Sequence, residues 1–142
     1  MQLSKYFTLA EFTVSQTASR NGINNNPPEE VLERLIHTAE CMEKVRKLLG
    51  YPINISSGYR SPELNAAVKG AKTSQHLTGE ACDFTCPRFG TPRQIVDKIQ
   101  KSSIEYSQLI LEYDNWVHIS FRKGDSRRDT LIIDREGTRK FN

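Results

Sequence analysis

The sequence predicts an α+β fold, a mostly antiparallel sheet packed with helices, and three observations carry that reading. An apolar repeat of helical period runs from Glu29 to Leu49. Short apolar segments with turn residues between them fill the second half of the chain, two of them separated by a few residues around Asp114-Asn115. Strands and helices do not alternate in the regular strand–helix–strand order of a parallel sheet. At 142 residues, 37% hydrophobic and 26% charged, the chain has the length and composition of one globular domain, residues 1–142, able to bury its own core.

The opening segment, Leu3 to Ile23, scatters Leu3, Phe7, Leu9, Phe12 and Val14 among polar residues. Thr8, with Glu11 three residues on, has the form of a capping box on one short helical turn. Asn24-Asn25-Asn26 reads as loop. Pro27 and Pro28 sit where a helix can start, because proline at the first helical position gives up only a donor that lacks a partner there. From Glu29 the apolar pattern runs through Val31, Leu32, Leu35, Ile36, Ala39, Met42, Val45, Leu48 and Leu49, and Gly50 closes it. This is the longest predicted helix and the backbone of the core. Ile53 to Ser56 alternates as a strand. Ser57 to Pro62 is loop, Glu63 to Val68 a short helix, and Gly70 to Thr78 loop again. Ala81 to Thr85 reads as a strand, and Thr91-Pro92 opens a second long helix through Ile99. Gln108 to Tyr113 and Trp116 to Phe121 are strands joined by a hairpin turn at Asp114-Asn115. Leu131 to Ile133 is a last short strand before a polar tail.

A net charge of +3 marks mild basicity, concentrated late in Arg122, Lys123, Arg127, Arg128, Arg135, Arg139 and Lys140. Such a run is a solvated face, or suits approach to a polyanion such as an anionic cell wall. No helix-turn-helix, RNP or zinc-finger pattern accompanies it, so no nucleic-acid partner is expected. No apolar run reaches membrane-spanning length. The start, Met1 to Thr8, lacks the apolar core and cleavage site of a signal peptide, which leads to the expectation of synthesis in a cytoplasm. Cys41, Cys82 and Cys86 fit neither a zinc ribbon nor a disulfide framework and read as free thiols without a role.

Three histidines occur in the chain. His37 lies beside the apolar stripe of the long helix among charged neighbours, the place of a surface residue. The other two fall in the most distinctive segments, His76 after Ser74-Gln75 and His118 after Trp116-Val117. Asp83 follows His76 across Gly79, a residue that lets the chain bend. Two imidazoles and a carboxylate are the ligand set of a catalytic zinc that keeps one position open for water. Magnesium and calcium prefer oxygen shells. If the three side chains meet in space, the protein is a hydrolase.

Ser57-Gly58-Tyr59-Arg60-Ser61-Pro62-Glu63-Leu64-Asn65, then Ser74-Gln75-His76 with Gly79, Ala81 and Asp83, then Trp116-Val117-His118-Ile119-Ser120 resemble the zinc D-Ala-D-Ala carboxypeptidase family. That family includes phage L-alanyl-D-glutamate endolysins and vancomycin-resistance dipeptidases, and its fold is shared with hedgehog signalling domains. The opening Leu3 to Phe12 is similar to small phage-borne members, so the resemblance covers nearly the whole chain. It implies His76, Asp83 and His118 as ligands of Zn2+. Arg60 becomes the group that stabilises a developing oxyanion or holds a substrate carboxylate, work suited to a planar, permanently charged guanidinium. Ser74 and Gln75 are implied near the metal or substrate, Trp116 beside the site, and Tyr59 along the substrate groove or under its loop.

The general base departs from the family's usual pattern. Many members place a carboxylate three residues before the last ligand, where this chain has Asn115, and an amide cannot take a proton from water at neutral pH. Hedgehog-like members carry a Glu six residues before the final histidine, the offset of Glu112. Glu112 also ends the apolar run Leu109-Ile110-Leu111, so partial burial and a raised pKa are expected there. In a hairpin with an odd loop Glu112 lies opposite His118 on one face; an even loop pairs it with Val117. Glu112 is the expected base, and Asp114, which also reads as the turn former, is the second choice. The implied substrates are peptidoglycan peptides, cut by a phage or prophage enzyme that acts on the wall, waits for a holin, or forms part of a virion. The alternative is an inactive, metal-holding or wall-binding virion component of the same fold.

Overall fold

The structure is a computed structural model that describes residues 1–142. Its longest helix, α3 (Glu29–Leu49), starts behind Pro28 and ends at Gly50, whose left-handed backbone closes the last turn. Val31, Leu35, Ala39, Met42, Val45 and Leu49 are all buried along it. The opening chain forms α1 (Leu9–Thr13), with the expected capping box between Thr8 and Glu11, and α2 (Gln16–Asn21). Glu43 of α3 ties this segment down, its carboxylate accepting from Ser4 Oγ and from the Tyr6 backbone N–H, both at 2.6 Å.

Six strands make one sheet: β1 (Asn54–Ser57), β2 (Ala81–Thr85), β3 (Gln108–Glu112), β4 (Trp116–Ser120), β5 (Asp129–Asp134) and β6 (Gly137–Lys140). Their order is β1-β2-β4-β3-β5-β6, and every pair is antiparallel except β3 with β5. Between β1 and β2 lie α4 (Pro62–Ala67) and a 3-10 turn at Gln75–Thr78, and α5 (Pro92–Gln100) follows β2.

The period of two divides the central strands cleanly. Cys82 and Phe84 of β2, Leu109 and Leu111 of β3, and Val117 and Ile119 of β4 are fully buried in one core with the apolar faces of α3 and α5. The alternate residues, Asp83, Ile110, Glu112, Trp116 and His118, share the opposite face. One hydrophobic layer thus fixes the strand register, and the register fixes what faces the other way.

Several expectations shift. The first strand begins one residue later than Ile53 and carries an irregularity between Ile55 and Ser57. The segment before Asp83 contains the 3-10 turn rather than loop alone. α2 lacks an apolar stripe, burying only Ala18, so periodicity does not report it; its Ser15 cap and terminal Gly22 are the local signals. Leu131 to Ile133 extends into the longer β5, and the polar tail becomes β6, an exposed edge strand with no alternation to betray it. The hairpin loop is Tyr113-Asp114-Asn115, because Glu112 pairs with Trp116 and both Tyr113 and Asp114 take positive φ. Cys82 and Cys86 are buried thiols, and Cys41 is partly buried; none is paired. No helix is long and apolar enough to cross a membrane.

Candidate metal centre

His76, Asp83 and His118 come together on the open face of the sheet. Asp83 and His118 are direct cross-strand partners, and His118 Nδ1 lies 2.9 Å from Asp83 Oδ1. His76 reaches the same oxygen from the 3-10 turn, its Nε2 at 3.2 Å. The two rings stand edge to face with centroids 5.1 Å apart. One ligand atom from each residue falls within 4.8 Å of the others.

The local chain explains how His76 arrives there. Ser74 accepts from the His76 backbone N–H and caps the turn. Gly79 ends it with φ +80, where an added Cβ would also sit 3.0 Å from Val31 Cγ1. The ring is then oriented from behind, because His76 Nδ1 lies 2.6 Å from the Gly58 carbonyl oxygen. A carbonyl only accepts, so the network assigns the proton to Nδ1 and turns Nε2 toward Asp83. Burial by itself would raise the Asp83 pKa, but the imidazoles of His118 and His76 beside its oxygen outweigh it and hold the carboxyl well below its usual range. A persistently ionised carboxylate between two imidazole nitrogens is a donor set that fits zinc.

Around this group lies a cleft of about 620 Å³ that also takes in Arg60, Glu112, Trp116, Gln108, Arg122 and Arg127. Depressions of about 720 and 730 Å³ elsewhere are larger, yet neither contains a metal-binding constellation. His37 lines the former beside Cys41, its Nε2 3.7 Å from the thiol sulfur, away from the other two histidines.

Arg60 sits on the loop after β1. Its backbone N–H donates to the His76 carbonyl at 3.1 Å, and its Nη2 meets Ser74 Oγ at 3.4 Å. Its Nε is buried without a partner. Burial pulls the guanidinium pKa down, partly offset by the charges of Asp83 and Glu112. Gly70 makes room for this side chain, since a Cβ there would fall 2.9 Å from Arg60 Nη1 and 2.1 Å from Asn65 Oδ1.

Glu112 shares the face of His118, as the odd hairpin loop requires, but its direct partner is Trp116; Ile110 is the residue opposite His118. Glu112 is therefore one diagonal step away. Burial pushes its carboxyl pKa up and the charge of Asp83 adds to this, against the pull of His118 and Arg60. The Trp116 indole is near enough to lower it too, although its N–H falls outside hydrogen-bond geometry and has no partner. Asp114 is placed differently. It sits at the apex of the hairpin, 64% exposed, 3.3 Å from Arg93 Nη2, and forms no part of the cleft. Asn115 is exposed beside it, its N–H bonded to the Glu112 carbonyl at 3.0 Å. Tyr59 is buried under its loop and does not line the groove.

Some of the site is not readable as motif. Asn25, in the Asn-Asn-Asn run, is buried and clamps the Arg60 loop: its Nδ2 donates to the carbonyls of Thr13 at 2.8 Å and Tyr59 at 3.0 Å, and its Oδ1 accepts from the Ser61 N–H at 2.8 Å. Arg122 and Arg127, which the sequence presents as part of a basic run, turn into the cleft.

No significant match occurs among curated proteins. A family model described as Peptidase M15 matches residues 5–120, a span that holds the opening helix, all three donors, Arg60 and Glu112. The peptidases of this family are zinc-dependent, in keeping with the His76–Asp83–His118 group. With most of its length covered by that match, the chain belongs to the peptidase M15 family.

Proposed function

We propose that the protein is a zinc peptidase that hydrolyses a peptide bond in the stem or cross-bridge peptides of bacterial peptidoglycan. The observation that carries this reading is the convergence of His76, Asp83 and His118 in a cleft that also holds a half-buried carboxylate, Glu112, and a half-buried guanidinium, Arg60.

In this mechanism His76, Asp83 and His118 hold the ion, which when bound acts as a Lewis acid and acidifies water. Glu112 takes the proton of the attacking water on its carboxylate and passes it to the leaving amine. Its raised pKa suits both steps, since a stronger base accepts the proton more readily and a carboxyl can then return it. Arg60 turns its donor fork to the oxyanion that develops on the scissile carbonyl. Ser74 and Gly70 keep that fork in place. Trp116 forms part of one wall of the cleft.

A phage or prophage role, as free endolysin or virion component, rests on the similarity of the opening segment to small phage-borne members. Residues 1–142 then act as one catalytic unit. The second reading, an inactive wall-gripping member of the fold, draws on Asn115 at the usual place of the base. Mass spectrometry of peptides released from purified peptidoglycan, with and without chelator, separates the two. Chelator-sensitive release with new termini supports the peptidase and names the bond as D-Ala-D-Ala, L-Ala-D-Glu or cross-bridge. No release by protein carrying one equivalent of zinc supports the second reading.

A further inference from the structure

The metal-binding cleft has two cationic regions. Arg60 lies near Glu112 and Asp83. Arg122 and Arg127 mark the other, the end where Gln108 pairs with Ser120 and the chain leaves β4. Along β4 the order on the open face is Trp116, His118, Ser120, with Arg122 next, so the metal-binding group lies between the base and this second pair of cations.

The backbone under these arginines is built firmly. The buried Ser107 hydroxyl accepts from the Arg122 N–H at 2.9 Å and donates to the Asp125 carbonyl at 2.8 Å. At the far end of the loop Arg128 spends its guanidinium on carbonyls, those of Ile99, Gln100, Ser102 and Ile104, at 3.0–3.4 Å. Arg122 and Arg127 do the opposite. Neither side chain donates a hydrogen bond to any protein acceptor; each has one loose ion pair through Nε, Arg122 to Glu80 at 3.5 Å and Arg127 to Asp125 at 3.7 Å. Both Nη forks remain free, on side chains 53% and 57% exposed at the cleft wall.

A guanidinium fork matches the two oxygens of a carboxylate. Two such forks at one end of a peptide-sized cleft make a subsite for a negative group, and Gln108 adds an amide beside them. We propose that Arg122 and Arg127 form a carboxylate-binding subsite that selects peptides with a free carboxylate near the scissile bond, an inference that rests on the peptidase reading for its link to hydrolysis. The two arginines set specificity. They take no part in the bond-breaking step.

Trp116, the one tryptophan of the chain, lines the same cleft and reports binding by its fluorescence. The experiment titrates a stem-type peptide with free carboxylates, and its analogue with every carboxylate converted to carboxamide, into wild type, Arg127→Ala and Arg122→Ala/Arg127→Ala. The wild type is expected to bind the acid form about tenfold tighter or more, the worth of one good charge-assisted contact. The double variant is expected to bind both forms alike, and Arg127→Lys to recover only part of the preference, because lysine keeps the charge and loses the fork. In zinc-loaded protein the same loss is expected in KM for the acid peptide, with kcat held. Equal binding of both forms by wild type overturns the subsite, and so does undiminished preference in the double variant. Acid-selective binding without hydrolysis of peptide or wall counts against the peptidase reading alone, whereas hydrolysis without acid preference counts against the subsite alone.

Discussion

Asp83 and His118 face each other as direct partners across β2 and β4, with Asp83 Oδ1 2.9 Å from His118 Nδ1. Their neighbours Cys82, Phe84, Val117 and Ile119 are fully buried on the opposite face. The core therefore dictates the geometry of the candidate metal site, since a slip of one residue in either strand sends Asp83 or His118 into the hydrophobic layer. His76 is positioned otherwise, by a capped 3-10 turn and the Gly58 carbonyl.

Removing a donor separates metal binding from folding. His118→Ala and His76→Ala are expected to reduce zinc from one equivalent to a trace and abolish hydrolysis. Neither side chain belongs to the apolar core, so the circular dichroism of the metal-free variants should match that of metal-free wild type. Zinc retained at one equivalent by either variant would remove that residue from the ligand set.

Glu112→Gln is expected to keep the metal and lose about 10²–10⁴-fold in kcat, the usual worth of a general base. Asp114→Asn should stay within about twofold of wild type, as surface changes away from a site generally do. Asp114 spends its charge on Arg93 at the hairpin apex. An active Glu112→Gln with a dead Asp114→Asn would reverse the assignment.

The two site carboxylates give opposite pH signs in the metal-free protein. Glu112 has a folded pKa raised chiefly by burial, so the folded state holds its proton more tightly than the unfolded chain. Stability is then lost as pH rises through the window between the ordinary carboxyl value, about 4.3, and the folded one. Glu112→Gln should make the metal-free protein more stable than wild type at pH 7–8, with the difference vanishing below about pH 4. Asp83 has a depressed pKa, despite burial, because of His118 and His76. It stabilises above its unfolded value of about 3.9, and that contribution is lost on further acidification, so Asp83→Asn should flatten the acid side of the stability curve. Urea denaturation of the chelated proteins between pH 3 and 8 reads both signs.

The site was legible in the sequence where chemistry is carried by rare residues. Three histidines leave few ways to build a zinc site, and His76, Asp83 and His118 stand in segments whose form reveals strand or loop. The parity of the hairpin loop was open in the sequence; the three-residue loop puts Glu112 on the face of His118, opposite Trp116. What periodicity cannot report is a residue whose role depends on a distant backbone. Asn25 looks like any loop asparagine until Tyr59 and Ser61 fold against it. Arg122 and Arg127 look like solvated charge until the loop, pinned by Ser107 and Arg128, turns them into the cleft. The polar β6 has no hydrophobic pattern at all; pairing with β5 defines it.

Asn25 gives a test of positioning at a distance. Its amide is held between the end of α1 and the Arg60 loop, donating to Thr13 and Tyr59 and accepting from Ser61. Asn25→Ala leaves buried backbone groups on both sides unpaired, at a cost of about 1–3 kcal/mol in stability. Asn25 touches neither the metal donors nor the cleft, so zinc content should be unchanged. The Arg60 guanidinium loses the fixed backbone beneath it, and kcat is expected to fall while KM for a short peptide changes little, as for an interaction made chiefly in the transition state. Asn25→Asp keeps the acceptor for Ser61 but sets a buried carboxylate oxygen against the carbonyls of Thr13 and Tyr59. At pH 7 it should therefore destabilise at least as much as alanine, with part of the loss recovered on acidification as the carboxyl takes a proton. If Asn25→Ala is destabilised yet turns over at the wild-type rate well below its melting temperature, the clamp supports the fold alone and does not position Arg60.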